Sequence, residues 1–186
     1  GHCVIQPSGV FETVGLVAAQ VRIHGADASD TLVSKSHLGD TLLALGDYAA
    51  ARKVLEDALA GLTRVHGGDH PYTLGAALSL GEGCRAVGDF RRTKELQHKV
   101  VETRKRTLGA DHPDTLLAMH NLASTLADGG DGAAAIAMLQ LVVSTRKRAL
   151  GATSPGTLAS MHNLASMMRD RGDLAGARDL LHHVVE

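Results

Sequence analysis

One feature limits this chain more than any other: it repeats itself every 42 residues. Thr-Leu stands at 31–32, 73–74, 115–116 and 157–158, and Gly-Asp at 46–47, 88–89, 130–131 and 172–173. Between the two pairs lies a leucine at 38, 80, 122 and 164, each followed by a small residue: Gly39, Gly81, Ala123 and Ala165. A glycine precedes each repeat at 25, 67, 109 and 151. Segments 109–144 and 151–186 agree at 19 of 36 positions. Self-similarity at a period of 20–50 residues is the mark of a repeat architecture, in which each unit buries its apolar face only against its neighbours.

Each repeat reads as two helices. The first runs from Asp30 to Leu45, and equivalently over 72–87, 114–129 and 156–171. In the third repeat Leu116, Met119, Leu122, Ala123 and Leu126 recur at intervals of three and four, which places one stripe inward. Gly-Asp then breaks the helix, with glycine supplying the freedom of a tight turn. The second helix covers 48–65, 90–107, 132–149 and 174–186 and ends on the glycine that opens the next repeat. Pro71, Pro113 and Pro155 follow shortly afterwards, where a helix start tolerates the missing N–H. Residues 10–24 fall in register to be the second helix of a preceding repeat. The expected organisation is therefore an N-terminal segment 1–24 and repeats 25–66, 67–108, 109–150 and 151–186. The last repeat stops short of the Thr-Arg-Lys-Arg ending seen at 103–106 and 145–148, so a piece of a longer array is expected.

Composition narrows the function. Apolar residues make up 44% of the 186, enough for a real core, but the aromatic set is only Phe11, Phe90, Tyr48 and Tyr72. Small aliphatic side chains must fill the interior. The net charge is −1 with both signs interspersed, which argues against a dedicated nucleic-acid or membrane surface. The basic runs 104–106 and 146–148 fall in last helical turns, where cations complement the helix dipole, and no aromatics accompany them for base stacking. Cys3 and Cys84 form neither a disulfide framework nor a metal motif, which points to a reducing, cytoplasmic setting. There is no apolar run of transmembrane length.

The segment LGADHPDTLLAMHNLASTLADGGDGAAAIAMLQLVVSTRKRALG, residues 108–151, resembles a tetratricopeptide repeat of the 42-residue, kinesin-light-chain-like kind. The NLAS and ETRKR wording is similar to arrays attached to NB-ARC-type NTPases. The resemblance implies an all-α, right-handed superhelical solenoid whose first helices line a concave groove. It puts Gly39, Gly46, Tyr48, Ala51, Leu55 and Ala58 in packing places, as it does Ala123, Gly130, Ala135 and Leu139, and Ala165, Gly172, Ala177 and Leu181. Thr93 and Gln97 depart from the pattern and predict looser packing in the second repeat. Gly132 replaces the usual aromatic and predicts a loose turn.

The same resemblance implies the groove-facing positions: Val33, Ser36, Asp40 and Leu43; Gly75, Leu78, Glu82 and Arg85; Leu117, His120, Ser124 and Ala127; and Ala159, His162, Ser166 and Arg169. Asn121 and Asn163 lie beside them, with two roles open: hydrogen-bonding a peptide backbone or satisfying neighbouring helix ends. Chaperone-binding relatives hold a C-terminal carboxylate with Lys and Asn, which this chain lacks at the matching places, while Asp40 and Glu82 would repel a carboxylate. A ligand of basic or apolar character is expected instead. His120 and His162 sit one repeat apart, but two histidines fall short of the ligands zinc takes. His70 and His112 belong to the His-Pro entry motif and read as structural, and the adjacent His182 and His183 point in different directions. No phosphate loop or nucleophile–base set is readable. The expectation is a non-catalytic interaction scaffold without cofactor or metal, binding a protein or peptide and neither nucleic acid nor membrane. The alternative is a self-associating or regulatory array of a larger NTPase-type signalling protein.

Overall fold

A computed structural model describes residues 8–182, and all the regular structure among them is helical. Cys3, His183 and the last residues of the expected final helix lie outside the described residues. The helices are α1 (Ser8–His24), α2 (Ser29–Ala44), α3 (Tyr48–His66), α4 (Pro71–Ala86), α5 (Phe90–Leu108), α6 (Pro113–Asp128), α7 (Gly132–Leu150), α8 (Pro155–Asp170) and α9 (Leu174–His182). The chain divides into two compact units, residues 1–96 and 97–186.

The turns explain why the two-helix pattern is so regular. Gly46 has φ +81°, a left-handed conformation that side chains disfavour. It lets Gly46 N–H donate to Leu43 O at 3.0 Å and Asp47 N–H to Leu42 O at 3.0 Å, closing α2. The Asp47 side chain then accepts from Ala50 N–H at 3.1 Å and caps α3. The same bonds recur at Asp89, Asp131 and Asp173, each with the residue three further on. Each Gly-Asp pair is therefore a helix stop followed by a helix start, and the aspartate half of that device escaped the sequence reading. At the other turns His70 and His112 cap their helices through Nδ1, accepting from Tyr72 N–H at 3.3 Å and Asp114 N–H at 3.2 Å. Ser154 takes this place before α8, accepting from Thr157 N–H at 3.3 Å.

In the first unit α1 packs on α2, α2 on α3 and α3 on α4, and α2 also touches α4. Its contacts are close because glycine permits them. A Cβ on Gly39 would collide with Leu55, and one on Gly61 would collide with Leu32. Leu32, Leu62 and Ala76 form the buried cluster, with Val33 and Leu59 against it. Ala51, Leu55 and Ala58 are fully buried, whereas Tyr48 remains 38% exposed.

In the second unit α6 packs on α7, α7 on α8 and α8 on α9. Ala123, Leu139, Val143, Met161 and Leu164 form its core, with Ile136, Met138, Met167, Met168 and Leu180 packed around them. The inward stripe expected of the third repeat is buried in full: Leu116, Met119, Leu122, Ala123 and Leu126.

Three expectations are corrected. Thr93 does not loosen the start of α5: it is fully buried and its hydroxyl faces Gly81 O at 3.1 Å and Asp89 O at 2.9 Å, whereas Gln97 is buried with its Oε1 left without a hydrogen-bond partner among the described residues. The turn at Gly132 is closed like the others, with Asp131 N–H donating to Leu126 O at 2.7 Å, and the Arg171 side chain lies where a Cβ on Gly132 would meet it. Leu181 is 40% exposed instead of packed, and it forms part of a cleft wall.

Candidate functional site

The first-helix positions behave differently in the two units. In the first, α2 and α4 leave an open cleft of about 150 Å³ between them. Val33, Ser36, His37 and Asp40 reach it from α2, and Pro71, Tyr72, Gly75, Ala76 and Ser79 from α4, with Leu62 of α3 at its base. Gly75 is what keeps the space open: a Cβ built on it meets nothing within 4 Å. Ser36 is largely buried in the cleft, while Asp40 is exposed and enters no ion pair among the described residues. Tyr72 is 51% exposed and forms one edge of a ring cluster, 5.1 Å from His70, which stacks on His66 at 4.4 Å. His66 in turn shares a 2.8 Å hydrogen bond with Ser29.

The other expected residues of α4 lie outside this cleft. Leu78 is half-buried, and Glu82 and Arg85 are joined by an ion pair of 2.9 Å along the exposed helix surface.

In the second unit the corresponding polar groups satisfy one another. Asn163 Nδ2 of α8 lies 3.1 Å from His120 Nε2 of α6. Neither role left open for Asn163 describes this contact, which ties two first helices together. With the amide donating to Nε2, the ring proton sits on Nδ1, which is buried without a hydrogen-bond partner among the described residues. Burial, helped by the nearby Arg146 guanidinium, holds the His120 pKa below the ordinary imidazole value. Asn121, one repeat earlier, is half-buried and enters no side-chain hydrogen bond among the described residues. Ser124 turns its hydroxyl back to His120 O at 3.4 Å, and Leu117 is 49% exposed.

His162, Ser166 and Arg169 do face a cleft, of about 220 Å³, closed on its other side by Leu174, Ala177, Arg178 and Leu181 of α9. Arg169 donates to Ser166 Oγ at 3.2 Å and to Asp170 at 3.4 Å. The lining of this cleft is cationic where that of α2 and α4 is anionic.

The basic runs at the ends of α5 and α7 are held by the protein itself. Arg104 donates to Asp114 O at 2.8 Å, and Arg146 to Gly156 O at 2.9 Å and Ser160 Oγ at 2.6 Å. Arg148 pairs with Asp111 at 2.7 Å, and in the first unit Arg64 pairs with Asp27 at the same register. Cys84 is buried, and burial pushes its thiol pKa up in spite of Arg52, which argues against a reactive thiolate. Among the described residues no group of three metal-binding side chains occurs, and no helix is long and apolar enough to cross a membrane.

Paired helices on a 42-residue period, with small residues at the crossings and open faces on the first helices, define a helical repeat protein of the kind that presents surfaces to other proteins. The sequence matches the tetratricopeptide repeat family over residues 30–92, 73–147 and 117–186, and the chain belongs to that family. Among solved structures it is similar to a kinesin light chain with nearly identical tetratricopeptide-like repeats from Podosopora anserina. The TM-score is 0.88 at 28% identity, covering 95% of this chain and 84% of that one. A single-substitution variant of that protein matches equally well. BtubC (BKLC) from P. vanneervenii shares the fold, with a TM-score of 0.75 at 14% identity over 95% of this chain and 70% of that one. No curated protein matches the sequence. The chain is thus a kinesin-light-chain-like tetratricopeptide solenoid, a fold that serves protein interaction and is generally non-catalytic.

Proposed function

We propose that this chain is a non-catalytic scaffold that holds a peptide segment of a partner protein against the first helices of its repeats. The observation that carries the reading is the open cleft between α2 and α4, whose lining mixes an apolar base with Ser36, Asp40 and Ser79, polar groups that have no side-chain partner among the described residues. Such groups contribute to recognition when a ligand supplies the missing partner, and an extended segment lying across successive first helices meets several of them at once. A displayed random-peptide library tests this directly. The wild-type chain enriches a peptide set, and Gly75→Leu, which fills the cleft without backbone strain, loses it with helicity intact. Lys53→Glu, an exposed change on α3 outside the cleft, keeps it. Equal enrichment by wild type and Gly75→Leu would refute the proposal.

A second reading, self-association or regulation within a larger NTPase-type protein, is favoured by one observation. The helices α1 and α9 carry exposed apolar side chains, with Phe11 79%, Ile23 72% and Leu174 65% accessible. Sedimentation equilibrium across a concentration series separates the readings. A mass that rises with concentration and falls back in Phe11→Glu supports assembly, and a constant monomer mass removes it.

A further inference from the structure

We propose that the α2/α4 cleft is a pocket for a cationic side chain, arginine before lysine, on the bound segment. The inference rests on the groove reading above and names the chemistry of the ligand at one position.

Three features of the cleft converge. Asp40 offers a carboxylate with no ion pair among the described residues, and no lysine or arginine lines the cleft to neutralise it. Glu82, its counterpart one repeat on, is already paired with Arg85 at 2.9 Å, so the free charge is particular to Asp40. The half-exposed ring of Tyr72 stands in the opposite wall and supplies a π face for a cation. The base is apolar, formed by Val33, Leu62 and Ala76, and suits the methylene stem of a long basic side chain.

These features reinforce one another. An exposed ion pair alone contributes little, because water screens it. A guanidinium that stacks on a ring while its stem covers apolar surface loses part of that water, and the carboxylate then attracts it through a lower effective dielectric. Ser36 and Ser79 add hydroxyls that enter no side-chain hydrogen bond among the described residues and can accept from the remaining guanidinium N–H groups. The planar fork uses such a set of acceptors better than a single ammonium does, which sets arginine before lysine. A cleft volume of about 150 Å³ admits one long side chain and not a folded segment.

The test uses the full chain and a library of acetylated, amidated nonapeptides in which each position is fixed in turn as Arg, Lys, citrulline, Leu or Glu. Citrulline keeps the shape of arginine without its charge. The expected result is a fixed position at which Arg binds best, Lys next, and citrulline about tenfold weaker, the loss of one charge-assisted anchor. Asp40→Asn then erases the difference between Arg and citrulline, and Asp40→Lys turns it toward Glu. Peptides that bind wild type and are blocked by Gly75→Leu, yet show no preference for Arg over citrulline, would overturn the cationic pocket and leave the groove standing. Binding indifferent to Gly75→Leu, or no binding by any member of the library, would overturn the groove and the pocket together.

Discussion

The first-helix faces of the two units share one register and one backbone geometry, and they use it in opposite ways. On α2 and α4 the residues at the cleft are small or lack partners among the described residues: Gly75 leaves space, Asp40 enters no ion pair, and Ser36 and Ser79 enter no side-chain hydrogen bond there. On α6 and α8 the equivalent positions carry His120 and Asn163, which bond to each other and hold the two helices together. A repeat fold fixes the backbone through its core and turns, so the side chains at a given surface register are free to serve either structure or recognition. The comparison teaches that register alone does not identify a binding residue. The hydrogen bonds around a residue decide whether its side chain is already held, as those of His120 and Asn163 are.

The largest test asks whether the two units are alike where they should be. Leu80 and Leu122 occupy the same register and are both fully buried. Alanine at either position is expected to cost about 2–5 kcal/mol in denaturant melts, as large-to-small core changes do. A loss under about 1 kcal/mol at either would contradict the assigned inward face.

A smaller effect separates two glycines of the first unit. Gly39→Ala forces a methyl into Leu55 and is expected to lose about 1–3 kcal/mol by overpacking. Gly75→Ala meets open space and is expected to gain up to about 1 kcal/mol through helix propensity. Thermal melts of the two variants should therefore move in opposite directions, and movement in the same direction would break the assignment of close contact and open cleft.

The third prediction concerns the bridge of the second unit. Asn163→Ala removes a partner from His120 and is expected to cost about 1 kcal/mol, whereas Ser79→Ala, at the same register in the first unit, should cost less than half of that because it breaks no bond. Equal losses would mean that the bridge contributes nothing.

The pH dependence of the same bridge is smaller still. The His120 pKa is lowered by burial and by Arg146, so the unfolded chain binds more protons than the native one in this range. The stabilisation is complete above the ordinary histidine pKa of about 6.5 and is lost as pH falls below it toward the folded value. Comparing melts at neutral and mildly acidic pH, wild type should lose stability that His120→Gln does not.

Much of the fold was legible because it repeats. Thr-Leu, Gly-Asp and the small residue after each conserved-register leucine placed the helices within one or two residues, since each marks a physical necessity: a turn, a cap or a close crossing. The candidate site was legible only in part. The groove positions came from the resemblance, and their roles turn on neighbours a full repeat away, which periodicity cannot supply. His120 and Asn163 stand 43 residues apart, and nothing in either local sequence announces that they meet. His37 and Tyr72 also line the cleft: His37 shares the register of Asn121 and Asn163, whereas Tyr72 sits at a helix start outside the expected groove positions. The resemblance implies a packed Leu181 at the register of Leu55 and Leu139, which are buried, but Leu181 itself borders a cleft.

The most direct test places the same plug in both units. Gly75→Leu and Ala159→Leu stand at one register, the first in the open α2/α4 cleft and the second at an exposed position on α8. Binding of a pool of wild-type-selected peptides is measured for each variant beside its helicity. The account predicts that Gly75→Leu abolishes binding and Ala159→Leu leaves it within about twofold, the scatter expected of a surface change. Binding lost in Ala159→Leu and kept in Gly75→Leu would contradict it.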